Sequence, residues 1–191
     1  MDNTMGKSSG GCSCGSGCCT PDVNQENQQV KVQGNKLKKK IVIDFLYLDL
    51  TVCERCQGTE NNLDNSVDEV SDVLKSAGFG VVVNKINVTT KELAIKHRFL
   101  SSPTIRVNGK DIALELKESC CTECGDLCGD NVDCRVWVYE GKEYNEPPKE
   151  MIVNAILKEV YGEKKAQSES IAEDDYVIPE NLLTFFQGLN K

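Results

Sequence analysis

At 191 residues, with 39% hydrophobic and 27% charged residues, the chain is long enough for one ordinary domain with extended ends. Its formal net charge of −8 argues against nucleic acid and anionic membrane as main partners, since both reward a basic surface. The longest apolar run, Ile41 to Leu50, carries Asp44 and Asp49 and is about half of what a membrane span needs. The opening residues hold no apolar signal core, so the expected location is the cytoplasm.

Eleven cysteines are many for a reducing compartment, where thiols read first as redox or metal-binding groups. The number is odd, so at least one cannot pair within the chain. They fall into three groups: Cys12, Cys14, Cys18 and Cys19; Cys53 and Cys56; and Cys120, Cys121, Cys124, Cys128 and Cys134.

Residues 1–36 are rich in Gly, Ser, Asn and Gln and cannot bury enough surface to offset their ordering entropy, so they read as a disordered tail when free of ligand. Within this tail, Cys12, Cys14, Cys18 and Cys19 form C-x-C-x3-C-C. The pattern suits a soft metal or metalloid, or is no more than a tail with exposed thiols. Lys38 to Lys40 mark a solvated entry to the first strand, IVIDFLYLDL, whose apolar run predicts a central strand covered on both faces.

A helix is predicted from Cys53 to Ala77, with Leu63, Val67, Val70 and Leu74 on one stripe and Gly78 as its stop. Gln57-Gly58-Thr59 make a weak start, which leaves Cys53 and Cys56 either in the first turn or in the loop before it. A β-branched strand follows at Gly80 to Val88. Thr89 and Glu92 form a capping box for a second helix, running to about Phe99. Strand, helix, strand, helix is the order of a right-handed parallel βαβ unit.

Pro103 fits the first position of the next strand, which holds Ile105 and Val107. Asn108-Gly109 signals a hairpin, with Lys110 to Leu116 as the return strand. The segment CCTECGDLCGDNVDC reads as a loop. Arg135 to Tyr139 is a strand, Glu140-Gly141 a turn, and Lys142 to Tyr144 its continuation. Pro147-Pro148 open a helix with Met151, Ile152, Ala155, Ile156 and Val160 on its buried stripe, ending at Gly162. Residues 163–175 are a polar linker. The closing residues carry Val177, Ile178, Leu182, Leu183, Phe185 and Phe186. These should dock on the chain's own domain, or on a second copy.

Cys53-Glu54-Arg55-Cys56 is the sharpest chemical signal. Two thiols three positions apart at a helix start can close a small disulfide ring. The first thiol, exposed and facing the positive end of the helix dipole, is lowered in pKa and attacks a substrate sulfur. The second resolves the mixed disulfide. The late group of Cys120, Cys121, Cys124, Cys128 and Cys134 has another logic. Four thiolates hold a tetrahedral zinc, with Cys121-x-x-Cys124 as one half-site, and three suit a trigonal soft ion such as arsenite or mercury. A zinc or disulfide staple for a loop without its own core is the plainer reading. His97 reads as a solvated or capping histidine and Trp137 as core. The sequence holds no recognisable phosphate loop, Ser/His/Asp set or carboxylate dyad.

The strand, the C-x-x-C and SSPTIRVNG together resemble the thioredoxin-like superfamily of thioredoxins and glutaredoxins over residues 37–162. The resemblance implies an α/β fold with a central mixed sheet flanked by helices, here carrying a Cys-rich insertion near 118–134, between a disordered tail at 1–36 and a linker with a docking segment at 163–191. It implies a cis Ser102–Pro103 bond, Cys53 as nucleophile, Cys56 as resolving thiol and Pro103 shaping the contact surface. Val52 stands where thioredoxins have an aromatic residue, no Gly-Pro or Pro-His separates the cysteines, and the offset of Asp44 does not match the buried thioredoxin aspartate. The insertion and the PPKEMIVNAI helix look like an uncharacterised bacterial branch, a domain of unknown function.

Two functions follow as expectations. One is a thiol–disulfide oxidoreductase acting on a protein thiol or disulfide partner. The other is a soft-metal or metalloid binding protein or chaperone, for zinc, copper or arsenite, on the same scaffold. No cofactor is called for beyond zinc or another thiophilic metal.

Overall fold

The computed structural model describes residues 39–128, 132–162 and 176–189. Cys12, Cys14, Cys18 and Cys19, together with the predicted tail and linker, lie outside the described residues.

The first sheet is built from β1 (Lys39–Tyr47), β2 (Phe79–Asn87), β3 (Thr104–Val107) and β4 (Lys110–Asp111), in the order β2-β1-β3-β4. Strand β1 runs parallel to β2 and antiparallel to β3, with Ile43 opposite both Val83 and Val107. Helix α1 (Glu54–Ser76) makes the crossover between the parallel pair, and α2 (Lys91–His97) leads to β3. The mixed sheet and its flanking helices make this an α/β protein.

Strand β1 is central but not covered equally on both faces. Ile41, Ile43 and Phe45 are buried, whereas Val42 and Asp44 between them are half-buried. The buried face packs with Leu63, Val70 and Leu74 of α1 and with Met151, Ile152 and Ile156 of α4 (Lys149–Tyr161). On the other face Asp44 accepts a hydrogen bond from the Asn84 side chain. That polar pair marks the side of the sheet that water reaches.

Helix α1 starts at the C-x-x-C. Cys53 is its N-cap and Cys56 lies in the first turn. Gly58 allows this start, because a β-carbon there would meet the Glu146 carboxylate. Gly78 ends the helix at φ +83, a conformation that favours glycine. Helix α2 is capped one residue later than the sequence indicates. Thr90, not Thr89, accepts from the Leu93 amide, and the helix stops at His97 with Arg98 left-handed. Arg106 donates to the carbonyls of His97 and Arg98 and so satisfies that helix end.

Asn108 and Gly109 form the expected turn, both at positive φ. The return strand β4 is only two residues long, because Asp111 accepts from the Ala113 amide and turns the chain away. The Ser102–Pro103 peptide is cis, the isomer that the resemblance implied.

The cysteine-rich segment is not a loop. It holds β5 (Lys117–Cys120) and α3 (Thr122–Cys128) and leads into β6 (Asp133–Tyr139), which pairs with β7 (Lys142–Tyr144) through a turn at Glu140-Gly141. The order β5-β6-β7 is a small antiparallel sheet. The Arg135 amide donates to the Ser102 carbonyl at 2.7 Å and ties this sheet to the start of β3. Trp137 is fully buried in the main core, with the Arg135 guanidinium 5.3 Å from its ring centroid. Helix α5 (Glu180–Gly188) buries Leu182, Phe185 and Phe186 in a second cluster, against Leu48, Val88, Phe99 and Val132.

Candidate metal centre

The second cluster contains sulfur. Cys53, Cys56, Cys121, Cys124 and Cys134 are all buried in it, at most 1% exposed. The expectation of an exposed first thiol therefore does not hold: Cys53 is 0% exposed.

Local chemistry delivers each of these side chains. Before α1, the Asp49 carboxylate accepts from the amides of Thr51 and Val52. Gln57 donates to the carbonyls of Leu50 and Thr51 from the first helical turn. Together they fold the strand exit back onto the helix start, where the Cys53 sulfur accepts from the Cys56 amide at 3.4 Å. The Cys121 carbonyl accepts from the Gly125 amide, so Cys121 stands at the head of α3 and Cys124 follows on the same face three residues on. The Cys121 amide is bonded in turn to the Val132 carbonyl, which sets α3 against the start of β6. Cys134 is the second residue of β6, opposite Ser119.

The result is a group of four. The Sγ atoms of Cys53, Cys121, Cys124 and Cys134 all lie within 4.8 Å of one another. Cys53 and Cys121 are 3.9 Å apart, and Cys124 and Cys134 are 3.6 Å apart. A tetrahedral zinc with Zn–S bonds of about 2.3 Å requires sulfur–sulfur edges of about 3.8 Å. The spacing and the donor set both fit such an ion.

Arg55, inside the C-x-x-C, locks the group together. Its guanidinium donates to the Ser119 hydroxyl at 2.9 Å and to the carbonyls of Ser119, Cys134 and Cys120. One side chain of α1 thereby holds the end of β5 and the start of β6. The sequence gives no sign of this role, because every partner is more than sixty positions away.

Cys53, Cys124 and Cys134 do not ionise alike. Cys53 is held far below the ordinary thiol range, chiefly by hydrogen bonding from Cys121, then from Cys124, Cys134 and Cys56, against the effect of burial. Cys134 and Cys124 are pushed up, first by their hydrogen bonding with Cys121. Hydrogen bonding thus favours the charged form at Cys53 over Cys124 and Cys134. A second charge about 4 Å away costs on the order of 4 kcal/mol at an effective dielectric of about 20. A fully deprotonated group needs a cation. The Cys121 thiol has one proton and a second acceptor for it, the Glu123 carboxylate at 3.2 Å.

Cys56 stands apart from the four. Its sulfur is 3.4 Å from the Ser102 hydroxyl, which accepts from the Leu48 amide. Cys56 is pushed up, first by its hydrogen bond with Cys53 and then by burial. Pro103 is buried directly after Ser102. Cys120 is exposed and outside the group, while its carbonyl serves Arg55. Cys128 is the last residue of α3. His97 sits in the last turn of α2 and is lowered by burial first and by Lys96 and Arg106 next. It is not one of the grouped ligands. The structure therefore takes one cysteine from the C-x-x-C and three from the late group and makes a single site. The sequence reading treats them as two.

Residues 41–156 match the family model of DUF2703, a domain of unknown function. The chain belongs to this family. The matched span contains all four clustered cysteines and Cys56, and ends before α5. Searches of curated proteins and of solved structures return no match. Among the described residues, no helix is long and apolar enough to cross a membrane.

Proposed function

We propose that this protein binds a thiophilic metal ion, zinc foremost, through the thiolates of Cys53, Cys121, Cys124 and Cys134. The observation that carries this reading is the convergence of four buried sulfurs from α1, α3 and β6 within 4.8 Å. Four sulfurs favour a tetrahedral ion over a three-coordinate metalloid such as arsenite. Full enclosure favours a resident ion over one in transit, since closed tetrathiolate sites keep no open position for exchange. The test is elemental analysis of anaerobically purified, reduced protein. One tightly held ion per chain, lost when any of the four cysteines becomes serine, supports the reading. A reduced protein that takes up neither zinc nor copper(I) removes it.

A second reading is a thiol–disulfide oxidoreductase on a thioredoxin-like fold. The order β2-β1-β3-β4, with the C-x-x-C at the start of the crossover helix and Pro103 just before β3, supports that assignment of the fold. In this reading Cys53 is the nucleophile and Cys56 resolves. Complete burial of both sulfurs weighs against exchange with a protein disulfide. Reduction of insulin by the wild-type protein, abolished in Cys53→Ser, would restore it to first place.

A further inference from the structure

Cys56 is a fifth buried thiol beside a four-thiol site, and the metal reading leaves it without work. It occupies the first turn of α1, three residues from Cys53, and its amide donates to the Cys53 sulfur. Its own sulfur is 3.4 Å from the Ser102 hydroxyl and hydrogen-bonds Cys53, yet it is not one of the four grouped ligands. Cys53 therefore has two alternative partners: an ion shared with Cys121, Cys124 and Cys134, or the neighbouring thiol in its own helical turn. One sulfur cannot be both a thiolate ligand and half of a disulfide.

We propose that Cys56 is the resolving thiol of a redox switch built into the metal site: a hydroperoxide closes a Cys53–Cys56 disulfide, removes one of the four ligands and releases the ion. This rests on the metal reading above. The Cys53 thiolate attacks one peroxide oxygen, the O–O bond breaks, and Cys53 becomes a sulfenic acid as hydroxide departs. The Cys56 thiol then attacks the sulfenic sulfur, an S–S bond forms, and the hydroxyl leaves as water with the Cys56 proton. Two electrons pass from two sulfurs to the peroxide.

Two features favour Cys56 as the partner, and a third makes ligand loss the route of release. The C-x-x-C ring is short, so its closure costs little chain entropy. A disulfide within the group of four would consume two ligands at once, whereas Cys56 consumes one and leaves Cys121, Cys124 and Cys134 reduced. The site is enclosed on every sulfur, so an ion held there leaves readily only when its ligand set is broken. Hydrogen peroxide is small enough to reach a fully buried sulfur, where a protein disulfide is not.

The test loads the full chain with zinc, measures its zinc content, and then adds hydrogen peroxide in steps. Zinc release is followed with a chromophoric chelator, and disulfides are mapped by mass spectrometry. In the wild type we expect stoichiometric release, a Cys53–Cys56 cross-linked peptide, and recovery of zinc binding on thiol reduction. In Cys56→Ser we expect zinc to be retained at peroxide levels that empty the wild type. Release from Cys56→Ser at the wild-type rate overturns the switch. So does a wild-type disulfide mapped to Cys121, Cys124 or Cys134, a readout that needs no variant to fold. If the untreated wild type holds no zinc, the metal reading itself fails and the switch falls with it. Zinc bound but released by another route sinks the switch alone.

Discussion

Cys53 and Cys121 bring their sulfurs to 3.9 Å across 68 positions of sequence. That contact joins the cap of the longest helix to the head of one of the shortest, and it turns two cysteine motifs into one site. Neither motif is complete without the other.

The first prediction concerns which sulfurs matter. Cys121→Ser or Cys134→Ser should lower zinc affinity by more than about 100-fold, beyond the loss typical of outer-shell changes. Cys120→Ser should leave affinity unchanged, because that residue is exposed and outside the group. Competition titration against a chelator of known affinity separates the cases. Equal losses in all three variants would disprove the assignment of ligands.

Arg55 is predicted to matter without touching the ion. Its five-donor fork holds Ser119, Cys120 and Cys134 in place. Arg55→Met should weaken metal binding by about 10–100-fold. Arg55→Lys should recover only part of it, since an ammonium cannot reach all these acceptors at once. Full recovery with lysine would reduce the role of Arg55 to simple charge.

Acidification should weaken the site. An ion binds thiolates, and in the metal-free protein Cys124 and Cys134 are pushed up while Cys53 is lowered. Cys124 and Cys134 therefore hold their protons more tightly than an ordinary thiol, and Cys53 less tightly. Ion uptake must expel those protons, so affinity rises with pH and falls as pH drops. Calorimetry in buffers of different ionisation enthalpy measures the protons released. Uptake without proton release would mean that the four sulfurs are not the ligands.

Phe185 is buried in the same cluster as the five cysteines. Phe185→Ala should cost about 3–5 kcal/mol of stability and also speed the reaction of the buried thiols with a small alkylating reagent. The paired control is Ile152→Ala, in the other core cluster. It should cost stability without opening the thiols selectively. Similar alkylation rates in the two variants would remove α5 from the role of cover.

Arg135 is 2% exposed and paired with Asp111 at 3.0 Å. Removing the carboxylate strands a buried guanidinium. Asp111→Ala should therefore cost about 3–5 kcal/mol, read from denaturant unfolding of the metal-free protein. Replacing the pair together, as Asp111→Ala with Arg135→Met, should cost less than the single change. The opposite order would show that Arg135 is not stranded without Asp111 and stabilises the fold through other contacts, such as the Trp137 ring.

Much of the fold was legible from local pattern. The stripe of Leu63, Val70 and Leu74 locates the inner face of α1, and Asn108-Gly109 locates a turn with both residues at positive φ. RVWVY and the Glu140-Gly141 turn are read directly from alternation and turn chemistry. The cysteine-rich segment was not legible as strand and helix. Its Gly, Asp and Asn content describes a loop, while β5 exists because it pairs with β6, from Lys117↔Val136 to Cys120↔Asp133. Spacing also reveals only half-sites. Cys121-x-x-Cys124 asks for two more sulfurs, but nothing in the order of residues says that one comes from before the crossover helix. The C-x-x-C obscured this further, because a complete redox motif gives no reason to look for a missing ligand.

The Cys53–Cys121 contact has a consequence for the chain as a polymer. A covalent bridge across a loop of 68 residues takes about 4 kcal/mol of freedom from the unfolded chain. An ion shared by the same two sulfurs imposes a similar constraint and, unlike a disulfide, can be withdrawn by a competing chelator without any electron transfer. The ligand set also becomes complete only after Cys134 has been synthesised and β6 has paired. An ion held by all four sulfurs would therefore report that the chain has been made and folded at least as far as β6, with β7, α4 and α5 still to follow in the sequence.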